Sequence, residues 1–371
     1  MGMTEPEPAK RRPSGHRIFF PLALLYTAMV VPYWTAGHLG LVPTGWTPAV
    51  HAHEMVMGYA LAVVGGFLLT KPSRAALALA VGTWLLGRVA VLAPAFTQVP
   101  TALAVPATLA YPVVLFALGG WPFLRAAKSG HNAVFGPLVG AFAVAEALYW
   151  AGGDGGRTGV LFALHVVGLL LFAMGGRIIP AATAGEVRRQ GGLLVDRVQP
   201  RLEWIAIVGG ITAAASVASG LLPEAGAIGA LVVGLAAWAR LARWRTGAVL
   251  GRADLWSLHL GYAWLGLGWL AAAVERWAPL PGGAGWHLLG TAALGTIAGV
   301  MMVRVALQRE AWRPEFPPAV PWAVALIGVA AVLRVAAGWL EPAALLTASA
   351  FAWTAAHGLL FLVLSRILHR R

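Results

Sequence analysis

The chain of 371 residues is 59% hydrophobic and only 11% charged, with no cysteine. A soluble domain carries charge on roughly a quarter of its residues, so this composition cannot clothe a water-facing surface and lipid must cover it. The missing cysteine excludes disulfides, thiolate metal sites, iron–sulfur clusters and haem attached through Cys-x-x-Cys-His, leaving His, Met, Tyr or carboxylate for any metal or haem. The net charge of +13 does not imply nucleic acid, because the basic residues fall in short clusters between apolar runs and make no single basic face.

Residues 1–16 read as a cytoplasmic N-terminal tail and 17–371 as a single transmembrane domain. A spanning helix needs about 20 mostly apolar residues. Runs of that kind fall at 17–36, 50–70, 75–93, 102–121, 133–151, 158–177, 203–222, 225–244, 254–274, 286–307, 318–338 and 343–366. Backbone polar groups in lipid must bond within their own segment, so each run is a helix and the fold is an all-α polytopic bundle. The first run is too long for a signal-peptide core and reads as a retained helix.

Orientation follows from loop charge. Lys10, Arg11, Arg12 and Arg17 precede the first helix; Lys71 and Arg74 follow the second; Arg125 and Lys128 follow the fourth. Arg188, Arg189, Arg197 and Arg201 fill the sixth loop, Arg243, Arg245 and Arg252 the eighth, and Arg309 and Arg313 the tenth; Arg366, Arg370 and Arg371 close the chain. Among the alternate loops only Arg157 and Arg276 interrupt a near absence of Lys and Arg. Every second loop is basic, which predicts twelve spans with both termini in the cytoplasm. No internal repeat or low-complexity tract is visible; Gly295 and Gly299 form a small-xxx-small pair suited to close helix packing.

His16, His131 and His369 read as solvated residues of tails and loops. Seven others, His38, His51, His53, His165, His259, His287 and His357, lie in or at the mouths of spanning helices, where ionisable groups are costly and face the bundle interior or a cavity. One membrane histidine is more often a packed, hydrogen-bonded residue than a ligand; seven together point to metal, since neutral imidazole is the commonest metal ligand. Depth along the helices sorts them. His38, His51, His53 and His287 share an outer layer, and His165 lies about 10 Å inward at 1.5 Å per residue, near the level that Glu146 reaches from the other side. His259 and His357 meet in an inner layer, an arrangement suited to bis-imidazole haem ligation.

His51-Ala-His-Glu54 is the most specific local feature. Residues two apart on a helix point about 200° apart, so His51 and His53 cannot readily share one metal. Glu54 is placed to orient an imidazole, or with Glu146 to line a proton path; a hydrated cluster at a helix start is the competing reading. Arg88, deep in the third helix, could pair with Glu54, with Glu146 or with a haem propionate. Met55, Met57, Met301 and Met302 read as core filler rather than soft ligands. Gly58, Gly168, Gly261, Gly290 and Gly358 lie near histidines and would let a flat cofactor approach the backbone.

Several segments together resemble the NnrS family: His51-Ala-His-Glu-Met-Val-Met-Gly58, Gly66-Phe-Leu-Leu-Thr70, Trp84-Leu-Leu-Gly-Arg88, Gly176-Arg-Ile-Ile-Pro180, His259-Leu-Gly-Tyr-Ala-Trp264, and His287 leading to Met301 and Arg304. The resemblance runs from about residue 18 to the C-terminus. It implies a multi-pass protein of the bacterial inner membrane, linked to nitric oxide stress and denitrification, that binds haem, with copper as a second candidate metal. Without cysteine, b-type haem is the expectation. His53, His287, His259, His357 and Arg88 are the first candidates for holding it, with His51 and His165 as further metal ligands. Two departures stand out. Leu307-Gln-Arg-Glu-Ala-Trp-Arg313 replaces a Gly-His-Thr-Gly-Arg-like stretch, and Glu146 and Trp150 occupy the fifth helix where Asn and His are common in the family. The expected ligand is nitric oxide and a quinol is the expected donor if the protein is a reductase. A secondary transporter and a haem or copper carrier for respiratory enzyme assembly are the competing functions; the twelve helices and His-x-His pair resemble haem–copper oxidases only by analogy.

Overall fold

The computed structural model describes residues 13–92, 99–126, 133–278, 280–310 and 316–369. Lys10, Arg11, Arg12, Lys128, His131, Arg313, Arg370 and Arg371 lie outside the described residues. Twelve helices follow one another, and among the described residues no strand occurs. They are α1 (His16–His38), α2 (48–68), α3 (Arg74–Leu92), α4 (Thr101–Ala126), α5 (Phe135–Ala151) and α6 (Arg157–Arg189), then α7 (Pro200–Ser219), α8 (Pro223–Arg243), α9 (Ala253–Val274), α10 (Pro281–Glu310), α11 (Ala319–Ala336) and α12 (Pro342–His369). Ten of them are long and apolar enough to cross a membrane by length and composition. α5 is a shorter apolar helix, and α2 is diluted by His51, His53 and Glu54.

The bundle closes on itself. Trp353 Nε1 on α12 donates to Thr27 Oγ1 on α1 at 3.0 Å, and Thr354 Oγ1 donates to the Ala28 carbonyl at 3.1 Å. The start of α1 meets the end of α2 through Gly15 N donating to the Leu69 carbonyl at 2.7 Å. It meets the end of α10 through Glu310, which accepts from Arg17 and bonds His16 at 2.9 Å. His16 is therefore not a solvated tail residue. It begins α1, is 3% exposed, and sits between Ser14 and Glu310. Glu310 belongs to the stretch that departs from the family pattern, so that departure supplies the partner for His16 and Arg17.

Small residues set the helix spacing, as expected where lipid offers no hydrophobic drive for association. A Cβ on Gly295 would meet the Trp353 ring at 2.9 Å, and one on Gly299 would meet Leu360 at 2.8 Å, so the small-xxx-small pair accommodates α12. Gly209 and Gly229 bring α7 and α8 closer still; a Cβ on Gly229 would lie 2.2 Å from the Gly209 carbonyl oxygen.

Both α2 and α10 widen into a π-helical turn directly after a histidine. α2 does so over Glu54–Ala60 and α10 over Leu288–Leu294. An inserted π turn rotates the following side chains, and such turns are frequent at functional sites. Here they leave open space beside them, described next.

Candidate functional site

His51 and His53 stand on opposite sides of α2 and enter different environments. His53 is 1% exposed and both ring nitrogens are engaged: Nδ1 with Glu54 at 2.8 Å and Nε2 with Glu146 at 2.7 Å. Arg88 Nη1 donates to both Glu54 oxygens at 2.8 and 2.9 Å, and Tyr26 OH donates to Glu54 as well. Trp150 Nε1 donates to Glu146 at 2.8 Å and to Thr108 at 2.9 Å. The network ties α1 through α5 together. Isolated charges in a low-dielectric interior are very costly, which is why each carboxylate here has a cationic or hydrogen-bonding partner. Arg88 is committed to Glu54, so the geometry gives it a pairing role rather than a free guanidinium for a propionate. The two fifth-helix departures, Glu146 and Trp150, bond each other and complete the cage around His53.

His51 faces the other way, into an outer cavity of about 210 Å³. Residues of α1, α2, α6, α10, α11 and α12 line it, among them Trp34, His38, His51, His287, Arg334 and Trp353. His51 stacks on Trp34, with ring centroids 5.0 Å apart and planes 16° from parallel. Among the described residues neither of its ring nitrogens has a hydrogen bond, and Nδ1 is buried. His287 donates from Nδ1 to the Gly283 carbonyl one turn back at 2.9 Å in the tautomer that leaves the Nε2 lone pair free. A bond of this kind on the far nitrogen is how proteins orient metal-binding imidazoles. The cavity has one guanidinium, Arg334, which donates to the Gly282 carbonyl at 3.3 Å, and no lining carboxylate.

The remaining histidines surround this cavity or lie apart from it. His165 bonds the Leu161 carbonyl at 2.7 Å and packs against Trp286, a lining residue, at 4.9 Å between centroids. His357 bonds the Trp353 carbonyl at 3.0 Å; its Nε2 is buried without a partner, as is the hydroxyl of Tyr59 whose ring it meets at 5.5 Å. Tyr59 and Trp353 line the cavity floor. His259 is held by threonines on both sides, Thr183 at 2.8 Å and Thr246 at 2.9 Å. Depth alone pairs His259 with His357, yet their contacts lie with different helices: His259 with α6 and the segment before α9, His357 with α2 and within α12. Depth places His38, His51, His53 and His287 in one outer layer; the cavity brings His38, His51 and His287 together and leaves His53 outside it. Among the described residues no group of three or more His, Asp or Glu is arranged to hold a metal ion.

The residues of the outer cavity fit a haem. Two imidazoles on different helices have nitrogens not claimed by the protein, and a guanidinium uncompensated by any lining carboxylate suits propionate. A Cβ built on Gly290 in the wall would meet nothing within 4 Å, so there is space for a ring beside the backbone. The other glycines near histidines do not serve this purpose: a Cβ on Gly58, Gly168 or Gly261 would strike Tyr26, Trp269 or Ile297, and Gly358, though open, is not in the cavity wall. Arg334 escaped the sequence reading because it resembles a snorkelling residue at a helix end.

Fold and site together define a polytopic helical membrane protein with a closed buried ion network on one side of α2 and an open histidine cavity on the other. Over residues 12–371 the chain matches the family model described as NnrS protein, and it belongs to that family. No curated protein and no solved structure matches it.

Proposed function

We propose that the outer cavity is the site of a b-type haem and that this bacterial inner-membrane protein uses it to handle or sense nitric oxide. The observation that carries the reading is the pair His51 and His287, each with a ring nitrogen that no other protein group claims, in one cavity with Arg334 and no carboxylate. Haem iron, when bound, supplies the centre at which nitric oxide coordinates and electrons are exchanged.

The two histidines differ in how firmly the protein holds them. The hydrogen bond to Gly283 fixes the His287 ring, so His287 would be the firmer of the two haem-holding residues. His51 stacks on Trp34 without a hydrogen bond, so it would hold the group less firmly. Arg334 would pair with a carboxylate of the group, as guanidinium forks do for carboxylates in general. His53, Glu54, Glu146 and Arg88 hold α2 in register so that His51 keeps its place. Copper belongs to this proposal only as a second metal suggested by the resemblance. Catalytic reduction would draw on a membrane quinol.

The test is the absorption spectrum of detergent-purified protein, oxidised and dithionite-reduced, with and without nitric oxide, and metal analysis on the same sample. A Soret band that moves on reduction and again with nitric oxide is expected. Folded protein from a haem-competent host that is colourless and metal-free overturns the reading and favours a transporter. Consumption of nitric oxide with a quinol analogue separates a reductase from a sensor or a haem carrier.

A further inference from the structure

A second, small cavity of about 80 Å³ lies directly inward of the histidine cavity. Its wall is wholly apolar side chains and glycine backbone. The same three helices line both spaces in succession. On α2 the wall passes from Tyr59 to Ala60, on α6 from Leu164 to Val167, and on α10 Leu294 lines both cavities. Leu294 is the last residue of the α10 π turn, 6% exposed, and its side chain is part of the partition. The two π turns, on α2 and α10, are therefore the walls of one column that is polar at its outer end and apolar below.

Chemistry limits the occupant. A cavity without polar partners stays dry and takes apolar guests. An anion, a cation or a hydrogen-bonding molecule would lose its water without compensation there. Part of the wall is buried, including Phe142 at 0%, Ile179 and Leu258 at 1% and Val167 at 2%, while Val64, Phe67, Leu170, Met174 and Ile178 are half-buried, so the cavity opens towards the apolar surroundings from which a small apolar guest would enter. We infer that this inner cavity is a binding compartment for small neutral apolar gases, the class to which nitric oxide belongs, and that it supplies the histidine cavity past Leu294. Gas occupancy stands by itself; delivery rests on the proposed haem in the outer cavity.

The experiment uses the purified full-length protein, with xenon as the probe of the cavity and nitric oxide as the probe of delivery. Xenon under pressure should occupy one saturable site, read by 129Xe NMR or by anomalous scattering in crystals. Ala298→Phe should abolish that site, since Ala298 lines only the inner cavity. Ala298→Leu is the milder second variant if the larger one does not fold. In the reduced protein either variant should slow nitric oxide recombination after flash photolysis, more for Phe than for Leu. Haem content should be unchanged, and Leu294→Ala should speed recombination. No saturable xenon site in the wild type, or a hydrocarbon chain filling the cavity, overturns the inference. Xenon binding that Ala298→Phe removes, in a protein that carries no haem, retains the gas compartment and overturns the haem reading alone. Loss of xenon with unchanged recombination overturns delivery.

Discussion

His51 and His53 are two residues apart and share a helix, yet they live in opposite kinds of environment. His53 has both nitrogens bonded to carboxylates that are themselves bonded to Arg88, Tyr26 and Trp150. His51 touches an indole face and open space. The first arrangement is what a membrane protein does with polar groups it must bury permanently: it pairs each charged group with a partner, although Arg88 Nε is left without one. The second leaves imidazole nitrogens unused, which is costly unless something else binds them. The residue with more polar partners is thus the structural one, and the residue with fewer is the candidate ligand.

The largest effect expected from breaking this contrast is on the closed side. Arg88→Leu strands Glu54 in the interior and should destabilise the fold by about 3–5 kcal/mol, the usual result of removing one partner of a buried pair. The measurement is the detergent melting midpoint. Glu54→Gln combined with Arg88→Met should recover part of that loss because no lone charge remains. A single Arg88→Leu variant as stable as the wild type would remove the network's structural role.

On the open side the expected losses are in cofactor, not stability. His287→Ala should lower the Soret-to-protein absorbance ratio at least tenfold, a cost comparable to losing a metal ligand's support. His51→Ala should retain more haem than His287→Ala and bind nitric oxide faster. His53→Gln should depress the melting midpoint first and lose haem only in proportion to unfolding. If His53→Gln lost haem while staying folded, and His51→Ala did not, the assignment of the two faces would be reversed.

Gly290→Leu tests the cavity by volume. Its side chain points into open space, so the variant should fold at wild-type yield while excluding haem, read again by absorbance. The smallest effect lies outside the membrane, where neither environment operates. Asp154, in the α5–α6 loop, accepts from Thr158 N at 2.8 Å and Thr158 Oγ1 at 2.7 Å, and these bonds hold its carboxyl below the usual carboxylate range. A depressed carboxylate stabilises above its unfolded pKa and loses that contribution as pH falls through the folded value. Asp154→Asn should therefore lower the melting midpoint slightly at neutral pH and leave it unchanged in strong acid.

Much of this molecule is legible in one dimension because the bilayer is an extreme solvent. Apolar length, alternating loop charge and the obligation to bond the backbone internally suffice to predict twelve helices, and the structure begins and ends them within about five residues of the expected bounds, except that α6 continues to Arg189, past the expected end at 177, and so carries Arg188 and Arg189 on the helix instead of in the loop. The sequence leaves Arg88 open to Glu54, Glu146 or a propionate, and the structure pairs it with Glu54, which also bonds the His53 imidazole. Depth is less informative about histidines. It places His38, His51, His53 and His287 in one layer and His259 beside His357, but His259, satisfied by Thr183 and Thr246, and His51, with no hydrogen bond, look alike on a helix diagram.

The sequence by itself determined the solvent, the number of spans, the exclusion of thiolate and covalent haem chemistry, and the family to which the resemblance pointed, because each depends on composition or on local periodicity. Only the tertiary structure decided which side of α2 is closed and which is open, that Arg334 rather than Arg88 stands in the histidine cavity, and that an apolar compartment continues it inward. Those outcomes depend on how helices rotate about their axes when π turns and glycine contacts seat them against their neighbours, and rotation leaves no mark on hydropathy.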